Sequence, residues 1–101
     1  MSKSVERFEI ELISKNYMQS KRVILENEEN ILHMSSRQLE PHRRIVYHIE
    51  YVVRSLDERD RFIIEKEVME GRRGKWYLDY FTEPSYYRNR IRAYKNFLNC
   101  L

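Results

Sequence analysis

The chain has 101 residues, of which 42 % are hydrophobic, 13 % aromatic and 35 % charged. That length supports a single hydrophobic core, and the aromatic content is too high for an intrinsically disordered chain. Only two glycines and two prolines are present, which argues against a turn-rich β fold. The composition therefore predicts an all-α domain.

The positive charge is concentrated toward the C-terminus. The formal net charge is +3, and residues 70–101 contain seven basic and three acidic side chains. A basic segment of this kind suits a phosphate backbone better than a membrane surface. No apolar run reaches the ~18 residues of a membrane span, and no signal-peptide core follows the N-terminus. We therefore predict no membrane partner and a cytoplasmic location.

The reactive side chains form no catalytic or metal-binding pattern. The three histidines and the single cysteine, Cys100, lack the spacings typical of zinc sites. The chain also lacks a phosphate-binding glycine loop and the common nucleophile motifs. Neighbouring carboxylates such as Glu65 and Glu67 point to different helix faces and are expected to be solvated. The sequence thus predicts no enzyme, no cofactor and no metal.

The first helical pattern covers residues 4–34, with Ser4 as a candidate N-cap. An apolar or aromatic side chain recurs every seven residues, at Ile10, Tyr17, Ile24 and Ile31. One long helix fits this pattern, and so do two shorter ones with a break near Ser20 or within residues 26–30. The heptads fit a coiled coil or a helix packed on its own core. The second is favoured, because the polar Ser20 occupies a companion position.

The middle of the chain predicts a loop and two further helices. Residues 34–41 are expected to form the loop, because they are polar and close on a proline. A second helix then starts at His42. A third helix covers residues 58–70 and ends at Gly71, which is free to adopt positive φ. Two residues compete for the N-cap of the third helix, Ser55 and Asp57.

The last quarter of the chain, KWYLDYFTEPSYYRNRIRAYKNFLNCL, predicts a short helix, a turn and a long basic amphipathic helix. Thr82 is the candidate N-cap of the long helix, with Glu83 and Pro84 in its first turn. Two apolar rows follow at helical spacing. They are Tyr86, Ala93 and Phe97 in one row and Tyr87, Ile91, Tyr94 and Leu98 in the other. The aromatic cluster around Trp76 is expected to pack between the two helices, with Trp76, Phe81 and Tyr86 substantially buried. The functional alternative is that one or two of its members, Tyr87 especially, are exposed to contact bases or a partner.

These elements predict an all-α bundle of about five helices with a C-terminal helix-turn-helix unit. One domain covers residues 1–101. Within it, residues 1–40 form an N-terminal helical arm and residues 42–101 form the core that contains the helix-turn-helix.

The segment from Val53 onward resembles region 4 of bacterial sigma factors. It reads VRSLDERDRFIIEKEVMEGRRGKWYLDYFTEPSYYRNRIRAYKNFL, with TEPSYYRNRIRAYKNFL where that family has S-x-S-T-x-Y-R and a recognition helix. It is most similar to ArpU-type phage transcriptional regulators and to small mollicute proteins with a similar C-terminal motif. The chain departs from the pattern in its short segment 76–81 and in the acidic Glu83. The resemblance implies a sigma-70 region 4-like helix-turn-helix that binds DNA and takes part in transcription regulation.

A recognition helix of this kind assigns roles to the polar residues of the C-terminal third. Phosphates are expected to lie against the basic residues and the 72–75 loop, and the first turns of the helix are expected to enter the major groove. The candidate DNA-binding residues are Arg72, Arg73, Lys75, Glu83, Ser85, Tyr87, Arg88, Arg92 and Lys95.

A second interpretation is a helical protein-interaction module, or an accessory of the transcription machinery, without DNA binding of its own. Its C-terminal helix would bind RNA polymerase, another protein or a second copy of the chain in a homodimer.

Overall fold

The computed structural model describes the backbone of residues 2–101 and the side chains of residues 6–101. Those residues form no strand and four α-helices, α1 (Ser2–Glu28), α2 (Ser36–Ser55), α3 (Glu58–Ile64) and α4 (Glu83–Cys100). α3 continues directly into a π-helical turn, Glu65–Met69, and one 3-10 turn, Trp76–Asp79, precedes α4. Helical residues make up 80 % of the chain, which confirms the all-α prediction. Where a fifth helix was predicted, the chain forms only the 3-10 turn.

α1 is one continuous helix that packs along α2. Asn30 follows its end with a left-handed φ of 63°, a conformation that asparagine tolerates and that commonly closes helices. The helix passes through Ser20 without a break, and Ser20 Oγ lies 2.9 Å from His42 Nδ1 of α2. It already includes Ser2, and the side chain of the predicted cap Ser4 lies outside the described residues.

α2 begins at Ser36, so the prediction of a loop over residues 34–41 is wrong. The reason is a capping box at its first turn. The Gln38 N–H donates to Ser35 Oγ at 3.2 Å, and the Ser35 N–H donates to the Gln38 side-chain oxygen at 2.9 Å. Pro41 lies inside the helix, where its missing N–H removes one backbone hydrogen bond that the capped first turn tolerates. The predicted boundary between arm and core therefore falls within α2.

The third helix was predicted more accurately. It begins at Glu58 with Asp57 as its N-cap, because Asp57 Oδ1 accepts the Asp60 N–H at 3.0 Å. Ser55, the competing candidate, instead donates to the Val52 carbonyl within α2. The π-helical turn ends at Met69, and Gly71 then adopts the predicted positive φ, of 67°.

All four helices contribute to one core. Its fully buried apolar side chains include Ile10 of α1, Val53 of α2, Ile63 and Ile64 of α3, and Phe97 of α4. The molecule measures 47 × 26 × 26 Å, and its long dimension matches the ~40 Å expected for a helix as long as α1. In the part of the chain that the structure describes, no helix is long and apolar enough to cross a membrane.

Candidate nucleic-acid interface

The start of α4 is organised by the predicted cap. Thr82 Oγ1 accepts the Ser85 N–H at 3.3 Å, and Pro84 lies in the first turn, where its missing N–H has no intrahelical partner. The segment predicted to form the short helix before α4 forms the 3-10 turn Trp76–Asp79 instead. Only a few residues separate Gly74 from the cap of α4, and short helical segments of this kind commonly form 3-10 turns.

The inner face of α4 packs on the core. The first predicted row, Tyr86, Ala93 and Phe97, is fully buried. The second row divides, since Tyr94 is buried, Leu98 is half-buried, and Tyr87 and Ile91 are exposed. The packing thus leaves one side of the helix uncovered, and the predicted exposure of Tyr87 is confirmed.

A buried carboxylate, Glu67, holds this inner face in place. It is only 3 % exposed and lies in the π-helical turn, so the expectation that Glu67 is solvated is wrong. The Trp76 Nε1–H donates to its Oε2 at 3.0 Å. The hydroxyls of Tyr86 and Tyr94 donate to the same carboxylate. Burial removes the water that would hydrate the carboxylate, and three hydrogen-bond donors from two segments take its place.

The sequence did contain a signal for this burial. Glu67 follows Ile63 and Ile64 at helical spacings of four and three and precedes Val68. Those three apolar residues are completely buried, so Glu67 shares the face that they define. Its three donors could not be identified from the sequence, because they lie 9, 19 and 27 residues away.

Buried tyrosines make the domain sensitive to alkaline pH. Burial, reinforced by the hydrogen bond to Glu67, raises the pKa of both Tyr86 and Tyr94. Burial also raises the pKa of Tyr17, whose hydroxyl donates to Glu50 Oε2 at 2.7 Å. Because these pKa values lie above those of the unfolded chain, the stability they contribute is complete below about pH 10 and is lost as the pH rises further.

We therefore expect the free energy of unfolding to fall above about pH 10, by about 1.4 kcal/mol per pH unit for each tyrosine with a raised pKa. Urea denaturation at a series of pH values measures this slope. In a Tyr86→Phe variant the slope should decrease by about 1.4 kcal/mol per pH unit, because one proton-linked group is gone. A stability that does not change between about pH 10 and 11 would contradict this assignment.

A second buried carboxylate, Asp60 of α3, holds Arg92. Arg92 Nε lies 3.0 Å from Asp60 Oδ1, and its Nη2 donates to the Asn89 side-chain oxygen at 3.0 Å. The Asn96 amide donates to Asp60 Oδ2 at 2.7 Å. Since Asp60 is only 1 % exposed, Arg92 serves as the counter-ion of a buried carboxylate within the domain.

The outer face of α4 is the one surface of this helix that combines exposed cations with exposed apolar groups. It consists of Tyr87, Arg88, Ile91 and Lys95, and we call it the α4 face. Among the described residues, no ion pair involves Arg88 or Lys95. The guanidinium of Arg90 lies 4.8 Å from the Tyr87 ring centre and so supports that aromatic side chain.

The other predicted site residues are engaged within the chain. Arg72 pairs with Glu70 at 2.8 Å. Arg73 donates to the backbone carbonyls of Glu67 and Arg72.

The residues around the start of α4 are also engaged. Glu83 accepts a hydrogen bond from Tyr77 at 3.2 Å and lies 3.6 Å from Lys75 Nζ. The Ser85 side chain and carbonyl accept from the Asn89 amide. The structure therefore separates the nine predicted residues into three on the α4 face and six with partners inside the chain.

Tyr77 and Tyr86 stack in parallel, with ring centres 3.7 Å apart, and they fix the 3-10 turn onto α4. Trp76 packs edge-on against Tyr86 at 5.8 Å. The predicted aromatic packing between the two segments is thus present, although Trp76 and Phe81 are only half-buried.

Comparison of the chain with protein-family models, curated proteins and solved structures finds no significant match in any of the three. Within the described part of the chain, no group of three His, Cys, Asp or Glu side chains gathers as a metal site requires. The α4 face is therefore the candidate functional site.

Proposed function

We propose that the chain is a non-enzymatic, transcription-associated protein that binds double-stranded DNA through the α4 face, with α3, the 3-10 turn and α4 acting as a helix-turn-helix. The observation that carries this proposal is the pair of unpaired cations on an exposed helix face. From Ser85 to Leu101 the sequence contains no acidic residue that would repel a phosphate.

The dimensions of the α4 face suit a major groove. Arg88 and Lys95 are seven residues apart, which is about 10 Å along a helix. The groove is ~12 Å wide and admits one α-helix, so the two cations can reach phosphates while Tyr87 and Ile91 face the bases. An aromatic ring and an aliphatic side chain can contact a thymine methyl group without needing a hydrogen-bond partner.

Glu83 is less of an obstacle to this proposal than its charge suggests. Tyr77 donates to its carboxylate and Lys75 lies within 4 Å of it. It also lies in the first turn of α4, where the helix dipole favours a negative charge. A local function in stabilising the helix start therefore accounts for Glu83.

The salt dependence of binding to random duplex DNA tests the proposal. With two phosphate contacts, the log–log slope of affinity against salt should be near −2 between about 50 and 200 mM. Arg88→Ala and Lys95→Ala should each weaken binding and reduce the slope by about 0.9. Arg43→Ala, which removes an exposed arginine of α2, is the matched control and should leave the slope unchanged.

The alternative proposal is that the α4 face binds a protein, such as RNA polymerase or a second copy of the chain. It is favoured by the exposure of Tyr87 and Ile91 beside an arginine, since interface centres are enriched in aromatic residues and arginine. If no duplex binds at low salt, DNA binding is wrong. Loss of a protein complex in Tyr87→Ala but not in Arg88→Ala would then favour the alternative.

A further inference from the structure

A groove runs along the outer side of α1, remote in sequence from the α4 face. It consists of two cavities, of about 380 and 300 Å³, which share Met18 as a common wall. Its far side is formed by Met69, Gly71 and Arg73, at the end of the π-helical turn and in the connector that follows. From Phe8 to Leu25 it extends about 25 Å, calculated from the rise of an α-helix. We call it the α1 groove.

The floor of the α1 groove is apolar and open to solvent. The exposed fractions are 67 % for Phe8, 48 % for Leu12, 39 % for Met18 and 49 % for Leu25. Phe8 and Leu12 lie on the side of α1 opposite the core residues Ile10 and Tyr17. Met18 and Leu25 lie at the border between that side and the core-facing side. Large apolar groups gathered in one exposed concavity are typical of an interaction site, and methionine adapts readily to different partners.

The charges along the α1 groove are mainly positive. Lys15 and Arg22 lie seven residues apart on α1, and Arg73 of the connector lines the same cavity as Lys15. Neither Lys15 nor Arg22 forms an ion pair among the described residues. The one acidic lining residue, Glu11, already pairs with Arg7 at 3.3 Å. A partner would therefore meet an apolar floor between uncompensated cations.

From this combination we propose that the α1 groove binds an acidic amphipathic helix of another protein. The apolar face of that helix would fill the two cavities around Met18, and its carboxylates would pair with Lys15 and Arg22. A helix of about 17 residues spans the groove, and apolar residues spaced three and four apart match its floor. Complementary charge along α1 would fix the register of the bound helix.

A second copy of the chain fits the α1 groove poorly. If α1 paired antiparallel with α1 around its middle, Lys15 would face Lys15 of the other copy. The α4 face is basic as well, so it would be repelled by the same cations. The proposed partner is therefore a different chain of opposite charge.

A designed helical peptide of about 18 residues, with leucines at helical spacing and glutamates flanking them, is the direct probe. Fluorescence anisotropy should detect binding to the wild-type protein. A peptide with the same leucines but lysines in place of the glutamates should bind with an affinity at least about tenfold lower. Equal binding of the two peptides would overturn the proposal, because charge complementarity would then be irrelevant.

Variants of the protein locate the site. Met18→Asp places a charge on the groove floor and should weaken binding of the acidic peptide about tenfold or more. Tyr47→Ala is the matched control, because Tyr47 of α2 is 67 % exposed, as Phe8 is, but does not line the groove. Circular dichroism establishes that both variants are folded. Unchanged binding in Met18→Asp would overturn the assignment of the site.

Charge reversal gives a test that does not depend on loss of function. The Lys15→Glu, Arg22→Glu double variant should bind the lysine peptide better than the glutamate peptide.

Sedimentation of the wild-type protein measures its oligomeric state. A wild-type dimer that Met18→Asp dissociates would overturn the proposal in favour of a homodimer interface. Failure of any of these tests leaves DNA binding by the α4 face unaffected, since Arg88 and Lys95 do not line the groove.

Discussion

Replacing Glu67 with alanine is expected to lower the free energy of unfolding by about 3–5 kcal/mol. The substitution removes the acceptor of three donors, Trp76 Nε1–H, Tyr86 OH and Tyr94 OH, all in positions shielded from solvent or partly so. For a domain of this size the loss corresponds to a fall in Tm of about 15–30 °C. Urea denaturation followed by tryptophan fluorescence measures it. Trp76 is the only tryptophan in the chain and is itself hydrogen-bonded to Glu67.

Two further variants separate the buried network from charge in general. Glu70→Ala removes an exposed carboxylate that pairs with Lys66 and Arg72, and it should cost less than about 1 kcal/mol. Glu67→Gln should fall between Glu70→Ala and Glu67→Ala, because the amide keeps one acceptor oxygen and a tyrosine hydroxyl can accept from its NH₂ group. A Glu67→Ala variant as stable as Glu70→Ala would contradict the network.

Replacing Arg92 with alanine is expected to cost about 1–3 kcal/mol, whereas Arg88→Ala should cost less than about 0.5 kcal/mol. Both arginines were predicted from the sequence to contact DNA. Arg92, however, pairs with the buried Asp60, and its removal leaves that carboxylate with the Asn96 amide as its remaining side-chain donor. Thermal unfolding of the two variants side by side measures the difference.

A compensating variant identifies the cause of that loss. Asp60→Asn combined with Arg92→Ala removes the uncompensated buried charge, so it should recover part of the stability that Arg92→Ala loses. If Arg92→Ala is as mild as Arg88→Ala, the ion pair between Arg92 and the buried Asp60 contributes little. The sequence-based role of Arg92 in phosphate binding would then regain support.

Features that depend on neighbouring residues were predictable from the sequence. Thr82 caps α4, Asp57 is one of the two residues predicted to cap α3, and Gly71 takes a positive φ, because each depends on residues within a few positions. The start of α2 was also encoded locally, in the capping box of Ser35 and Gln38. It was missed because Pro41 was given more weight than it deserves so near a helix start.

Only the tertiary structure decided which polar residues are used internally. Arg92 and Asp60 are 32 residues apart, and Glu67 and Tyr94 are 27 apart. Arg88 and Arg92 look equivalent in the sequence, since both are arginines between the apolar rows of one helix. They differ because four residues amount to one turn plus about 40° of rotation, which brings Arg92 within reach of Asp60 on α3 and leaves Arg88 facing solvent. Helical periodicity determines which side chains share a face, but the partner of a charge depends on how the helices pack.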